Sequence, residues 1–443
     1  MENAFIVQGG KALNGEVQLS GAKNVALKTI IAGLMFDGPV TLENIPRIND
    51  VLELMHLITI LGGKAEFTGK NTVVVDGSTL KEKKVDMLHA SKIRVSFMLF
   101  APLLHTFHDC YVPNPGGCRL GARSIDRIID GMEALGVTAD YDSETGYYHA
   151  SVSTLTGGDY TFTKPTHTGT ELLIMLSVIG KQNVVLHNTA LEPEIDELIR
   201  FLNESGAKVT RNNTDITIEG VESLKSTKPF GIIADRNEAV TFATLALATK
   251  GNVLVKGISK HLITELLTSV EKAGGEVTEE KPDAFRFRYV GPLKPVSIET
   301  LPHPGFMTDW QPNWAILMTQ AEGESTIHER IFENRFSYVT QLRKLGAHIE
   351  FITPPIDNPQ DYYFFNYDPK QTYTQAIKIY GPQKLHNGVL EIADLRAGAT
   401  LIIGALLAEG ESIIHGASML ERGYEDFVSK VTALGGVIEK RTV

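Results

Sequence analysis

Leu61-Gly62-Gly63-Lys64-Ala65-Glu66-Phe67 decides the fold: an apolar helical stretch runs into paired glycines, and an alternating strand begins at once. The phrase returns at Leu135-Gly136-Val137, Ser205-Gly206-Ala207, Ala273-Gly274-Gly275, Leu345-Gly346-Ala347 and Leu434-Gly435-Gly436. The first glycines stand 74, 70, 68, 72 and 89 residues apart, which is one period with an insertion in the last unit. Glycine just past a helix end takes the left-handed conformation that stops the helix without a Cβ penalty. Each phrase therefore predicts a helix, a left-handed glycine and a strand, as again in His348-Ile349-Glu350-Phe351.

The first half of the unit repeats as well. Asp37-Gly38-Pro39-Val40-Thr41-Leu42, Lys250-Gly251-Asn252-Val253-Leu254-Val255, Glu322-Gly323-Glu324-Ser325-Thr326-Ile327 and Glu409-Gly410-Glu411-Ser412-Ile413-Ile414 each follow an apolar helical run and read as a turn and a strand. The expected unit is helix, strand, helix, strand. Six units divide as three plus three into two similar α/β domains, with a cleft between them as the expected ligand site. The insertion covers about 353–387 and carries Tyr362, Tyr363, Phe364, Phe365, Tyr367 and Tyr373, the composition of an extended hairpin that packs on its own domain or offers a partner surface.

Composition narrows the function. The 443 residues carry a formal charge of −11, which argues against a general nucleic-acid binder, so an anionic ligand must be held by local cations. No apolar run reaches the length of a membrane span, the N-terminus does not read as a secretory signal, and two cysteines form no disulfide framework. A cytoplasmic protein is expected. No Cys/His grouping has zinc-ligand spacing and no Walker or Rossmann glycine pattern is present, so neither metal nor cofactor is expected.

Residues 113–123, Pro-Asn-Pro-Gly-Gly-Cys-Arg-Leu-Gly-Ala-Arg, set one thiol among glycines and two arginines. Arg119 and Arg123 would lower the Cys118 pKa and attract anions, whereas Cys110, in an apolar-flanked stretch, reads as a small buried residue. Near the starts of the first helices of the units stand Lys23 with Asn24, Lys92 with Arg94, Lys164 with Thr166 and His167, Asp235 with Arg236 and Glu238, Asp309 with Gln311, and Asp394 with Arg396. Asp235 and Asp394 fit N-caps, Arg94 fits a buried arginine paired with an acid, and His167 fits a hydrogen-bonded loop residue. A helix dipole disfavours cations at its N-terminus, so Lys23, Arg94 and Arg396 together call for an anion.

These residues carry a resemblance. Leu19-Ser20-Gly21-Ala22-Lys23-Asn24, Pro115-Gly116-Gly117-Cys118, Gly121-Ala122-Arg123, Glu192-Pro193-Glu194-Ile195, Asp235-Arg236, Pro302-His303-Pro304-Gly305-Phe306, Ile331-Phe332-Glu333-Asn334-Arg335-Phe336, Asp394-Leu395-Arg396 and Arg422-Gly423-Tyr424-Glu425 stand in one order. Along nearly its full length the chain resembles the UDP-N-acetylglucosamine 1-carboxyvinyltransferase family. The resemblance implies an α/β fold of two inside-out α/β barrels with six βαβ-type repeats arranged three plus three. It implies a first domain at 23–233 and a second formed by 1–22 and 234–443.

The implied reaction transfers the enolpyruvyl group of phosphoenolpyruvate to the 3′-hydroxyl of UDP-N-acetylglucosamine with release of phosphate. By the resemblance, Asp309 is the general base, and Cys118 is a proton donor or a covalent partner, with both roles open. Lys23, Arg94, Arg123, Arg335, Arg396 and Arg422 would hold phosphoenolpyruvate, Lys23 and Arg396 counting also as catalytic. Asn24, Arg94, Arg123, Ser124, Ile125, Asp126, Arg127, Lys164, Thr166, His167, Thr168, Asp309 and Ile331 would line the UDP-sugar. The partners implied are these small molecules, with no nucleic acid and no membrane insertion, and the oligomeric state stays open. The chain departs from the family pattern at Ser124, at His167-Thr168-Gly169-Thr170-Glu171-Leu172, and at Leu191, Ala234 and Met307. A paralogue acting on another sugar nucleotide or nucleoside, and a non-catalytic ligand-binding relative, are therefore the alternatives.

Overall fold

A computed structural model describes residues 3–116 and 125–442. They fall into two compact units, one of residues 21–116 and 125–233, the other of residues 3–20 and 234–442. Each unit carries three repeats. Gly62, Gly136, Gly206, Gly274, Gly346 and Gly435 all have φ between +83° and +102°, so the six closing glycines do take the left-handed conformation.

The repeat contains two strands more than expected, one at the edge of its sheet and one returning from a hairpin. In Gly158–Glu219, strand Gly158–Thr161 leads to helix His167–Ser177, strand Asn183–His187, helix Pro193–Asn203 and the hairpin Lys208–Asn212 with Asp215–Glu219. The returning strand Asp215–Glu219 lies between its hairpin partner and Asn183–His187, antiparallel to both, and Gly158–Thr161 closes the edge in parallel. Five four-stranded sheets follow this order, and the three-stranded sheet keeps it through a parallel bridge from Lys84 to Tyr111. In the last sheet the returning strand is Asn3–Gln8, paired with Glu411–His415 and Val437–Thr442 at the opposite end of the chain.

The chain crosses between the units at 20–21 and at 233–234, and each crossing leaves an edge strand behind. Asn14–Gln18 precedes the helix Lys23–Gly33, yet it pairs in parallel with Asn252–Lys256 in the unit of residues 234–442. Reciprocally, Phe230–Gly231 pairs in parallel with Val40–Glu43. The two crossings leave the first helix of each unit, Lys23–Gly33 and Arg236–Ala248, directly downstream.

Two kinds of helix alternate. The inner helices are Lys23–Gly33, Phe100–Phe107, His167–Ser177, Arg236–Ala248, Gln311–Met318 and Leu395–Leu407. They are buried almost all round, and Arg236–Ala248 has no residue open to water. The outer helices, such as Asn49–Ile60 and Pro193–Asn203, bury one face only. Inner helices of one unit pack on one another while the sheets lie outside them, which is the inside-out α/β barrel.

A helix buried on all sides must satisfy its polar side chains inside the bundle. Among the inner helices of residues 234–442, Tyr424 and Thr241 share a hydrogen bond of 2.7 Å, Asn313 Nδ2 donates to Thr241 Oγ1 at 2.8 Å, and Thr400 Oγ1 donates to Asn313 Oδ1 at 2.7 Å. Trp310 Nε1 donates to Asn237 Oδ1 at 2.9 Å. Asn313 thus joins three helices, and Asn313→Ala is expected to cost about 2–4 kcal/mol by removing two buried interhelical hydrogen bonds and leaving a cavity. Urea unfolding measures this, and a midpoint equal to wild type would contradict it.

Candidate active site

In the unit of residues 234–442, polar side chains gather where the inner helices begin. Asp394 caps Leu395–Leu407, accepting from the backbone N–H of Arg396 and Ala397 at 3.0 Å each. Asp235 caps Arg236–Ala248 through Asn237 N at 2.8 Å. Both acids are N-caps, one of the functions their positions allowed. Glu238 in the same first turn accepts from Ser20 N at 2.7 Å and pairs with Lys430, while burial raises its pKa above the ordinary carboxylate value.

Asp309, just before Gln311–Met318, lies between two guanidinium groups. Arg335 Nη2 reaches Asp309 Oδ1 at 2.7 Å, and Arg396 Nε lies 3.4 Å from Oδ2. The arginine side chains are 3% and 6% exposed, whereas that of Asp309 is 23% exposed, so the carboxylate is the accessible member. Burial works against charge on Arg396, yet Tyr424, Asp235 and Asp309 outweigh it and hold the pKa above the ordinary arginine value. The Tyr424 ring lies 5.4 Å from that guanidinium. Arg396 Nη1 is buried without a hydrogen-bond partner among the described residues.

Arg335 is held from behind. Its Nη1 donates to Thr308 Oγ1 at 2.6 Å, and Thr308 donates to Glu329 Oε2 at 2.7 Å. Glu329 Oε1 accepts from Thr300 Oγ1 and from the N–H groups of Ile331 and Phe332 at 2.9, 2.8 and 3.1 Å. Complete burial nevertheless raises its pKa, with Arg335 pulling the other way.

In the other unit, Lys23 is the first residue of an inner helix whose N-terminus has no side-chain cap and no acid in its first turn. Its Nζ pairs with Asp50 Oδ2 at 2.7 Å, both nearly buried. One turn deeper, Lys28 Nζ lies 3.0 Å from Glu171 Oε2, and His167 Nε2 lies 3.3 Å from Glu171 Oε1. These are ion-pair contacts whose angles fall outside hydrogen-bond geometry. Burial opposes charge on Glu171 and His167, but Lys28 and His167 together lower the Glu171 pKa, and Glu171 raises that of His167.

The structure brings Asp309, Arg335 and Arg396 together. Arg94 opens the short 3-10 segment Arg94–Leu99 that packs on Lys23–Gly33, its guanidinium 5.9 Å from the Phe97 ring. Thr166 caps His167–Ser177 through Gly169 N, so His167 is a helical residue paired with Glu171 and not a loop residue. Thr168 lies in the same first turn, with Lys164 just upstream. Ile125 is buried before the outer helix Asp126–Ala134, on which Asp126 is exposed and Arg127 half-buried. Asn24, Ile331 and Arg422 are half-buried, and Arg422 Nη1 lies 3.4 Å from Met419 Sδ. Cys118, Arg119, Arg123 and Ser124 lie outside the described residues. Just upstream in the sequence, a Cβ on Gly116 would fall 1.8 Å from Ser91 O, so packing requires that glycine. Cys110 is buried, and burial pushes its thiol pKa up.

Lys28, Asp50, Glu171 and Glu329 were missed. Lys28 stands inside Val25-Ala26-Leu27-Lys28-Thr29-Ile30, and a lone charge within so apolar a run was the available signal. No helix of the described residues is long and apolar enough to cross a membrane, and no cluster of three or more His, Cys, Asp or Glu among them could hold a metal.

The profile of the family described as EPSP synthase (3-phosphoshikimate 1-carboxyvinyltransferase) matches residues 7–431. The chain is 38% identical to the UDP-N-acetylglucosamine 1-carboxyvinyltransferase of Desulfatibacillum aliphaticivorans, covering 98% of this chain and 99% of that protein. It is 37% identical to UDP-N-acetylglucosamine 1-carboxyvinyltransferase 3 of Caldanaerobacter subterraneus, covering 98% of each. Among solved structures, the enolpyruvyl transferase NikO from Streptomyces tendae superposes with a TM-score of 0.85 at 23% identity, over 100% of this chain and 99% of that one. EPSP synthase from Acinetobacter baumannii superposes with 0.72 at 18%, over 99% and 100%. The fold is that of the enolpyruvyl transferases. The chain belongs to the UDP-N-acetylglucosamine 1-carboxyvinyltransferase family.

The His167 pair makes unit stability pH-dependent. A histidine with a raised folded-state pKa contributes fully below its unfolded value of about 6.5 and loses that contribution as pH rises through the folded value. The melting-temperature gap between wild type and His167→Gln should thus be wider at pH 6 than at pH 9, and an equal gap at both would refute the pairing.

Proposed function

We infer that the protein transfers the enolpyruvyl group of phosphoenolpyruvate to the 3′-hydroxyl of UDP-N-acetylglucosamine and releases phosphate, a step that commits the sugar nucleotide to peptidoglycan in the cytoplasm. The observation that carries this reading is the accessible Asp309 carboxylate between Arg335 and Arg396, with Arg396 Nη1 a buried donor that lacks a hydrogen-bond partner among the described residues. A buried guanidinium with a spare N–H suits an incoming carboxylate or phosphate. The full-length relatives carry this activity in their names.

In the first step Asp309 takes the proton of the 3′-hydroxyl as that oxygen bonds to C2 of phosphoenolpyruvate, and C3 gains a proton. In the second, C3 gives a proton up, the bond from C2 to the phosphate oxygen breaks, and inorganic phosphate leaves. We assign Cys118 as proton donor to C3 or covalent partner of phosphoenolpyruvate. Lys23, Arg94, Arg123, Arg335, Arg396 and Arg422 are assigned to its phosphate and carboxylate. The start of Lys23–Gly33, which has no side-chain cap and no acid in its first turn, supports the anionic assignment, because the helix dipole favours negative charge there. Asn24, Ile125, Asp126, Arg127, Lys164, Thr166, His167, Thr168 and Ile331, with Ser124, are assigned to the UDP-sugar.

Phosphate release from phosphoenolpyruvate should depend on UDP-N-acetylglucosamine, and release with another nucleotide sugar or a nucleoside instead would move the acceptor. No release with any acceptor, under conditions where binding is measurable, would sink the enzyme reading. Asp309→Asn should lower kcat by about 100-fold or more with the fold intact, the size of a lost general base. An epoxide phosphonate that resembles phosphoenolpyruvate should alkylate Cys118 alone, as read by peptide mass, because the Cys110 thiol is buried with a raised pKa. Labelling at Cys110 would overturn that assignment.

A further inference from the structure

Strands Ile349–Ile352 and Ala376–Gly381 are antiparallel neighbours, and the other hairpins of this type connect through 68–72, 143–146, 213–214 and 282–283. Here the connection runs over 353–375, with one short helix, Pro359–Tyr362. A hairpin needs only a few residues to turn, so the excess length must find its own packing or stay wet.

It packs, and it packs on the segment that ends in Arg335. Tyr363 and Phe365 are buried, their rings stacked at 4.9 Å, and Tyr373 lies 5.2 Å from Phe365 and 5.0 Å from Tyr367. The polar rim of this cluster grips the residues on either side of Glu329. His328 bonds the hydroxyls of Tyr363 and Tyr362 through Nε2 and Nδ1 at 3.1 and 3.2 Å. The Arg330 guanidinium lies 3.8 Å over the Tyr362 ring and donates from Nη2 to Tyr362 O at 3.0 Å, while Phe364 N donates to Arg330 O at 2.9 Å.

The downstream end of the connection grips the rest. Gln375 is buried, and its Nε2 donates to Glu329 O at 2.8 Å and to Phe332 O at 3.0 Å. Its Oε1 accepts from Asn334 N at 2.8 Å, and its backbone carbonyl accepts from Glu329 N at 2.7 Å. Thr374 N donates to Asn334 Oδ1 at 2.6 Å, and Asn334 is left-handed at φ 53°. The next residue is Arg335, whose guanidinium meets Thr308 and Asp309.

We propose that the aromatic connection 358–375 is a buttress for the transfer reaction, with Gln375 the positioning residue that fixes the backbone of 329–334 and so holds Arg335 against Asp309. The inference rests on the transferase reading for its kinetic consequence. Gln375 touches no reacting group in this account. It spends its side-chain capacity on three backbone groups of a segment that would otherwise be an irregular loop. Small displacements at such a segment are costly, because a reacting geometry lost by about 1 Å can cost about 100-fold in rate.

Gln375→Met keeps side-chain length and apolar volume and removes all three side-chain hydrogen bonds. It is expected to lower kcat/KM for phosphoenolpyruvate by about tenfold to 100-fold, while Gln383→Met, which removes the bond to Tyr380 O outside the segment, stays near wild type. Joined to Arg335→Lys, Gln375→Met should add no more than about twofold to the loss from Arg335→Lys alone, since interacting residues are not additive. Full multiplication of the two losses, or wild-type rates in Gln375→Met, overturns the proposal. Hydrogen exchange over 328–336 gives a readout free of turnover, with faster exchange expected in Gln375→Met, and unchanged exchange overturns the proposal whatever the rates. If the wild type releases phosphate with no acceptor, the transferase reading fails by itself, and the exchange experiment still decides whether Gln375 fixes the segment.

Discussion

Everything in this architecture depends on burying three helices all round inside each ring of sheets. A helix in that position has no wet face, so it can afford few polar side chains, and each one must meet a partner on a neighbouring helix. Asn313 is the clearest case, since it accepts from Thr400 and donates to Thr241, which in turn bonds Tyr424. Such bonds are directional, whereas apolar contacts let helices slide, so the ladder fixes the axial register of the three helices. In the other unit Lys28, Glu171 and His167 join two inner helices through charge.

Register matters because the starts of the inner helices are where chemistry gathers. Along its length an inner helix uses its backbone groups internally, and only its first turn leaves N–H groups over. Asp235 and Asp394 fill two of those first turns with cap carboxylates. Lys23–Gly33 has no side-chain cap and carries a lysine at its first position, opposite to what the dipole prefers. Asp235 and Asp394 thus occupy two of the six helix starts, while the start of Lys23–Gly33 carries no side-chain cap.

Much of this was legible in the chain, for local reasons. The six glycines could be read because a left-handed residue after a helix is a property of a few neighbouring residues. Asp235 and Asp394 could be read as caps on the same ground. The returning strand of each repeat was not legible, since its pairing is set by partners far along the chain, as Asn3–Gln8 against Val437–Thr442 makes plain. Glu171 and Glu329 stayed hidden because their value comes from Lys28 and Arg335 on other elements. The aromatics of 353–375 could be counted in the sequence, but their hold on 328–334 passes through backbone carbonyls that no composition reveals.

Two carboxylates flank Arg335, and their surroundings divide the work. Glu329 is completely buried, and its two oxygens accept from Thr300, Thr308, Ile331 and Phe332. All four donors favour its charged form, so its task is to hold Thr308 and the turn at 331–332. Asp309 is held by Arg335 at Oδ1 and by Arg396 at Oδ2 and keeps part of its side chain open to water. A base that must receive a substrate proton needs that open side, and a base fixed by two guanidinium groups starts the reaction already oriented. The geometry therefore favours Asp309 over Glu329 as the reacting carboxylate, although Glu329 is the acid whose pKa is raised by burial.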